Sequence, residues 1–302
     1  MKLLLTYKYV DEVVKAGSIR KASETLSITP SALNRRILSL EEDLGVAIFE
    51  RLPHGVRLSA AGELLIHHIR NQLSDMERVR SQIADLSGIR RGHVSIASSQ
   101  ALLPYFIPNQ MAIYRQEYPG VSFGVHGRDR EAAEQALYDY SADIALVFEP
   151  VRLTDFHTLL TVPQPIHAIL AQDHPLAHKK ILRLRDLVEY PLALPAKPYG
   201  VRALLETAAI KHQINLDPVI VSDSFDFLRH ISANQNVISF QIQIGLPQKE
   251  VYSGMVDRQI DLDDVPPGFV HLAQLKGRTL AVAAARFADQ LVSAFIAEYN
   301  CN

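Results

Sequence analysis

Ser18–Ile37, SIRKASETLSITPSALNRRI, leaves this chain few folds to choose from. Its first part sets Ile19, Ala22 and Leu26 on one side of a short helix. Ser27-Ile28-Thr29 reads as a tight turn, with Thr29 as N-cap and Pro30 as the first residue of a second helix. Leu33, Ile37, Leu40 and Leu44 then recur at helical steps as one apolar stripe. At about 100° per residue, Ser31, Arg35 and Leu38 point away from that stripe and Asn34 lies on its flank. A helix buried on one side and carrying Ser, Asn and Arg on the other suits a DNA major groove, where those groups meet base edges and phosphates.

The flanks extend this pattern. Leu3 to Ala16 predicts a helix with Leu4, Tyr7, Val10, Val13 and Val14 on its apolar face. Gly17 ends it, Ser18 caps the next helix, and Gly45 stops the third. Ala47–Arg51 and Val56–Leu58 flank the turn residues Pro53-His54-Gly55, which predicts a two-stranded wing. Arg51 and Arg57 at its base suit phosphate or minor-groove contact, with surface ion pairs as the alternative, and Arg20 joins the DNA-facing candidates. Arg36 lies nearer the buried stripe, a phosphate or packing arginine. The DNA-binding domain is placed at residues 1–58.

Ser59 caps a long helix predicted from Ala60 to about Ser87. Ile69, Leu73, Met76, Val79 and Ile83 recur at steps of three and four, a coiled-coil seam that one helix cannot satisfy. A dimer follows; the alternative is a helix packed on its own domain. His67 and His68 diverge by about 100°, so they cannot share a metal from one face. Residues 59–91 are therefore a dimerising linker helix and hinge, ending in Ser87–Gly92.

From residue 92 the pattern changes to alternating strands and helices. Strands are predicted at His93–Ala97, Val121–His126 and Ile144–Phe148, with a helix starting near Ser99 and another at about Asp129–Tyr138. A second series has strands at Ile166–Leu170, Leu192–Leu194, Val219–Val221 and Val237–Phe240, with helices near Val201–Lys211 and Phe225–Ser232. A last strand at about Thr279–Ala283 and a helix Phe287–Tyr299 return to the first lobe. This predicts a mainly parallel α/β domain of two lobes, lobe I at 92–161 plus 268–302 and lobe II at 162–267.

Composition excludes more than it identifies. The 302 residues carry a net charge of −2, which makes no general case for nucleic acid. Residues 1–91 hold 14 Lys+Arg against 11 Asp+Glu, and the remainder 17 against 22. The single cysteine, Cys301, cannot form an intrachain disulfide. Without an apolar leader or spanning segment, the expectation is a cytoplasmic protein with no membrane partner. Ser98 lies in IASSQ rather than a Gly-x-Ser-x-Gly elbow, and no glycine-rich phosphate loop occurs. His174 and His178 fall in a Pro-containing turn rather than on a zinc-binding helix. No enzyme, cofactor or metal site is expected. A free-standing solute-binding protein would leave the first 60 residues unexplained, and an architectural DNA binder would not need the second domain.

The stretch AGSIRKASETLSITPSALNRRILSLEEDLGVAIFERLPHGVRLSAAGELL at Ala16–Leu65 closely resembles LysR-type transcriptional regulators. RQEYPGV at Arg115–Val121, ADIALV at Ala142–Val147 and DHPLA at Asp173–Ala177 look like landmarks of that family's effector domain. The resemblance spans essentially the whole chain. It implies an N-terminal winged helix-turn-helix, all-α apart from its wing, with a long coiled-coil linker helix. It further implies a C-terminal two-lobed, periplasmic-binding-protein-like (type 2) α/β domain, usually in a tetramer built as a dimer of dimers. The partners it implies are promoter DNA, a small-molecule effector and RNA polymerase. The family's base-reading and backbone-contacting positions fall on Thr29, Pro30, Ser31, Asn34 and Arg35, with its wing position on Arg51. Asn34 stands where the family more often has Ser, and Asn can pair with adenine.

The family's effector lies between the lobes. Ser98, Ser99 and Gln100 follow the first strand and open the predicted helix, so hydroxyls and backbone N–H groups converge there. Arg128 after the second strand could meet a carboxylate, and Phe148, Tyr199, Gly200, Phe225 and Phe240 occupy corresponding strand and helix ends. Ser98, Ser99 and Arg128 together suit a small anion or carboxylate. Asn234-Gln235-Asn236 replaces the family's usual two glycines, a departure at the pocket rim.

Overall fold

The computed structural model describes residues 2–86, 91–149, 154–234, 236–247 and 254–299. The chain divides into two compact units, 1–88 with 278–281, and 89–277 with 282–302. The hinge residues 87–90, Gln235 of the rim departure and Cys301 lie outside the described residues.

The first unit runs α1 (Lys2–Ala16), α2 (Ile19–Thr25), α3 (Pro30–Leu44), β1 (Phe49–Leu52), β2 (Gly55–Leu58) and α4 (Ala60–Leu86). Thr29 caps α3 as expected, its side chain accepting from Ala32 N at 3.3 Å, and Pro30 is the first helical residue. Gly45 closes α3 at φ 70°, a left-handed conformation that costs glycine least. Leu33, Ile37 and Leu40 are buried, whereas Leu44 is exposed, so the stripe ends one turn earlier than its spacing suggests. β1 and β2 pair antiparallel, Leu52 facing Gly55 across Pro53-His54.

The linker helix requires a correction. Ile69 is fully buried and belongs to the helix-turn-helix core with Val10, Val13, Leu33 and Ile66, and Leu73 packs partly against that core. The N-terminal half of α4 therefore closes its own domain, and Arg70 fastens it by donating to Asp11 of α1 at 2.9 Å. The steps of three and four are the same for a core stripe and a seam, so spacing alone could not separate them. Met76 is half-buried, and Val79 and Ile83 are exposed.

The second unit holds two lobes. Lobe I is built from β3 (Arg91–Ser98), α5 (Phe106–Glu117), β4 (Gly120–Gly127), α6 (Arg130–Tyr138), β5 (Ile144–Phe148) and β6 (Phe156–Gln164). Lobe II holds β7 (Ile166–Ala171), β8 (Ile181–Leu182), the short α7 (Leu184–Leu187), β9 (Leu192–Pro195), α8 (Gly200–His212), β10 (Pro218–Ser222), α9 (Phe225–Asn234), β11 (Ser239–Ile242) and β12 (Met255–Ile260). β13 (Gly268–Leu275) and α10 (Val282–Tyr299) complete lobe I.

The lobe I sheet has the order β4-β3-β5-β13-β6, and the main lobe II sheet β11-β7-β12-β8. β3 is parallel to β4 and β5, but β13 is antiparallel to both neighbours and β7 antiparallel to β11 and β12. The mainly parallel expectation thus holds for β3, β4 and β5 of lobe I and for the pairs β9–β10 and β8–β12 of lobe II, while the other pairings of β6, β7, β11, β12 and β13 are antiparallel. β6 leaves that lobe and β13 returns beside it, Gln164 opposite Gly268, so the two crossings are adjacent antiparallel strands. The expected strand at Thr279–Ala283 is not one: residues 279–281 are irregular and α10 begins at Val282. A short apolar run there is as compatible with a buried helix as with a strand.

Candidate DNA interface and effector cleft

On the first unit, Thr29, Ser31 and Arg35 are exposed along the outer side of α3, with Asn34 half-buried on its flank. The Thr29 and Ser31 hydroxyls lie 3.2 Å apart. Arg36 is exposed rather than packed. The wing meets the helix where Arg51 Nη2 donates to Asn34 Oδ1 at 2.8 Å. Spacing alone did not show that link, since it joins elements 17 residues apart. Arg57 pairs with Glu50 at 2.7 Å and Arg20 with Glu24 at 3.5 Å, all exposed. Surface pairs of this kind contribute only about 0–1 kcal/mol, so both arginines can exchange partners for phosphate. Glu41 sets the wing's entry by accepting from Ile48 N at 2.7 Å and Phe49 N at 3.1 Å.

In the second unit, Ser99, Gln100, Phe148, Tyr199, Gly200 and Phe225 surround one small cavity between the lobes, together with Arg130 and Ile242. The cavity measures about 20 Å³. Ser99 Oγ accepts from Phe148 N at 3.0 Å, which ties the end of β5 to the turn after β3. Gln100 Nε2 donates to the Tyr199 hydroxyl at 2.8 Å and joins lobe I to lobe II. Tyr199 meets Phe225 edge-on, ring centres 5.5 Å apart. Burial above all, with the charges of Asp223 and Asp129, raises the Tyr199 pKa above the ordinary phenol value, so the hydroxyl stays protonated. Phe148 packs so closely that a Cβ on Gly200 would lie 2.9 Å from its ring and one on Gly268 2.3 Å.

Several expectations fail here. Ser98 is fully buried, its hydroxyl donating to Ser99 O, so it faces the fold and not the cavity. The turn after it is a three-residue 3-10 segment, Gln100–Leu102, and α5 begins only at Phe106, because Pro104 interrupts the helical run. Ser98 and Ser99 therefore lead into a 3-10 turn and do not open α5. Arg128 is exposed outside the lining, while Arg130, two residues on, forms part of the wall. Phe240 is a core residue; β11 starts later than expected, and its last residue, Ile242, reaches the cavity instead. A two-residue difference keeps strand parity, so alternation could not separate Phe240 from Ile242.

A winged helix-turn-helix joined to a two-lobed α/β domain with a lined interlobe cavity defines a DNA-binding regulator with its own ligand-sensing domain. Residues 4–63 match the family model "Bacterial regulatory helix-turn-helix protein, lysR family", and residues 87–296 match the "LysR substrate binding domain". The chain is 25% identical over 205 residues to the HTH-type transcriptional activator CmpR of Synechocystis sp., covering 68% of this chain and 67% of that protein. Its fold is similar to a full-length OxyR variant from Pseudomonas aeruginosa, at TM-score 0.71 and 18% identity over 97% of this chain and 94% of that one. It is also similar to full-length CbnR in complex with its target DNA, at TM-score 0.62 and 17% identity over 96% and 99% of the two chains. The chain belongs to the LysR family of transcriptional regulators: its first unit binds DNA, and its second is the family's effector-binding domain. Among the described residues, no helix is long and apolar enough to cross a membrane.

Proposed function

We propose that this regulator reads promoter DNA through the outer side of α3 and the wing, and that a small effector bound between the lobes controls how it does so. Thr29, Pro30, Ser31, Asn34 and Arg35 supply base and backbone contacts; Arg51 reaches the groove beside Asn34, and Arg20, Arg36 and Arg57 face phosphates. Met76, Val79 and Ile83 on the outer half of α4 carry dimerisation, and pairs of dimers span several half-sites. The protein acts in the cytoplasm, without catalysis, metal or cofactor, and its bound state alters access of RNA polymerase.

The observation that supports effector control is the convergence of Ser99, Gln100 and Phe148 from lobe I with Tyr199, Gly200 and Phe225 from lobe II on one cavity. A ligand held by both lobes has different affinities for their open and closed arrangements, which is the condition for shifting the balance between them. Paired strands β6 and β13 are the natural pivot. The test is a thermal-shift screen of a metabolite panel on the full-length protein and on Tyr199→Ala. A compound bound in the cleft raises the wild-type midpoint by mass action and the variant's much less. Compounds that stabilise both proteins equally would place the effector elsewhere.

A further inference from the structure

Arg130 opens α6 and forms part of the cavity wall with Ser99, Phe148, Tyr199 and Phe225. Its Nη1 donates to the Glu149 carbonyl at 3.1 Å, while its Nε is buried without a hydrogen-bond partner among the described residues. None of its nitrogens forms an ion pair among those residues either. A permanently charged fork with a buried, unmatched donor is unfavourable until a counter-charge reaches it. The acids flanking it already accept backbone hydrogen bonds: Asp129 from Ala132 N at 2.8 Å and Glu149 from Phe269 N at 2.7 Å. The rest of the wall is apolar at Ala101, Val201 and Ile242 and aromatic at Phe148 and Phe225.

We infer that the effector of this chain is a small organic acid, its carboxylate held by the Arg130 guanidinium and its apolar body lying between Phe148, Val201, Phe225 and Ile242. This rests on the cleft being the effector site. The arginine fork and a carboxylate form a charge-assisted pair, and the Tyr199 hydroxyl and Gln100 amide flank it as further donors. The cavity of about 20 Å³ has room for about one water, so an acid of several carbons enters with the lobes apart.

The test uses the full-length protein and calorimetric titration with phenylacetate, isovalerate and hexanoate, each beside its own primary amide. An acid and its amide have nearly the same shape and differ in charge. The expected result is that at least one acid binds the wild type, its amide at least tenfold more weakly. Arg130→Gln then weakens the acid at least tenfold, and Arg130→Lys, which keeps the charge without the fork, weakens it less. Equal binding of acid and amide, full acid binding by Arg130→Gln, or no binding of any of the three acids overturns the inference. The acid-to-amide ratio needs no variant, so the test survives a poorly folded Arg130→Gln. Tyr199→Ala separates the two levels: a ligand weakened by Tyr199→Ala but not by Arg130→Gln lies in the cleft without needing the charge. A ligand indifferent to both substitutions overturns the cleft reading as well.

Discussion

Arg51 on the wing donates to Asn34 on α3 at 2.8 Å, so the wing and the proposed recognition helix are held together in the absence of DNA. The bond also orients the amide: its oxygen faces the wing arginine, and the NH₂ is left to donate elsewhere. If Asn34 reads a base, as proposed, this orientation suits a base acceptor rather than the two-point adenine contact its chemistry first suggests. Single and double Ala substitutions at Asn34 and Arg51, measured as affinity for the DNA upstream of the protein's own gene, should couple by about 1 kcal/mol. Strictly additive losses would show that the two residues act apart.

The cap of the recognition helix gives a separate test. Thr29→Ala removes the acceptor for Ala32 N and should destabilise the first unit by about 1 kcal/mol, with Thr29→Ser nearly neutral. Denaturation of the full chain followed by a probe in that unit reads the difference. An unchanged midpoint for Thr29→Ala would remove Thr29 from its capping role.

The two halves of α4 should respond in opposite ways. Ile69→Ala empties a fully buried core position and should cost about 2–5 kcal/mol of stability in its unit. Ile83→Ala at an exposed position should leave folding unchanged and weaken self-association. Sedimentation across a concentration series, beside thermal melts, distinguishes them. A dimer equally strong in Ile83→Ala and in a joint Val79→Ala, Ile83→Ala variant would place the interface elsewhere.

His174 provides a pH-dependent test in lobe II. It is buried, its Nδ1 accepts from Leu176 N at 3.1 Å, and burial lowers its pKa below the ordinary histidine value despite the nearby Asp173. The native state therefore binds fewer protons there than the unfolded chain does. Stability is full above about pH 6.5 and falls as pH drops below it towards the depressed native value. His271, also lowered by burial, acts in the same direction. His174→Asn keeps an acceptor without a titrating ring, so its melting temperature should fall less between pH 7.5 and 5. Identical slopes for both proteins would exclude His174 as a source of acid sensitivity.

Local chemistry explains which parts of this architecture were legible beforehand. Thr29, Pro30 and Gly45 act within one turn of chain, so the helix-turn-helix could be read directly from their order. The cavity could be read only in outline. Ser99, Gln100, Phe148, Tyr199, Gly200 and Phe225 sit at strand and helix ends that the alternating pattern located. Arg130 displaced Arg128 because Asp129 caps α6 and turns the next residue inward, a rotation invisible to spacing. β6, β12 and β13 were lost or misplaced because their pairing partners lie far along the chain, and a short apolar run does not declare its partner. The double role of α4 escaped for a related reason, since Ile69 and Ile83 share one periodicity but only Ile69 meets α1–α3.

The proposed coupling runs from occupancy of the interlobe cleft to the seating of the first unit on DNA. Its most direct measurement is a DNase I footprint of the full-length protein on DNA upstream of its own gene. It is run with and without a compound that stabilises the wild type but not Tyr199→Ala. The expected result is a set of protections phased on one face of the helix, whose extent or hypersensitive sites shift with the compound in the wild type and stay fixed in Tyr199→Ala. An identical footprint at saturating compound, or protection without sequence preference, would contradict it.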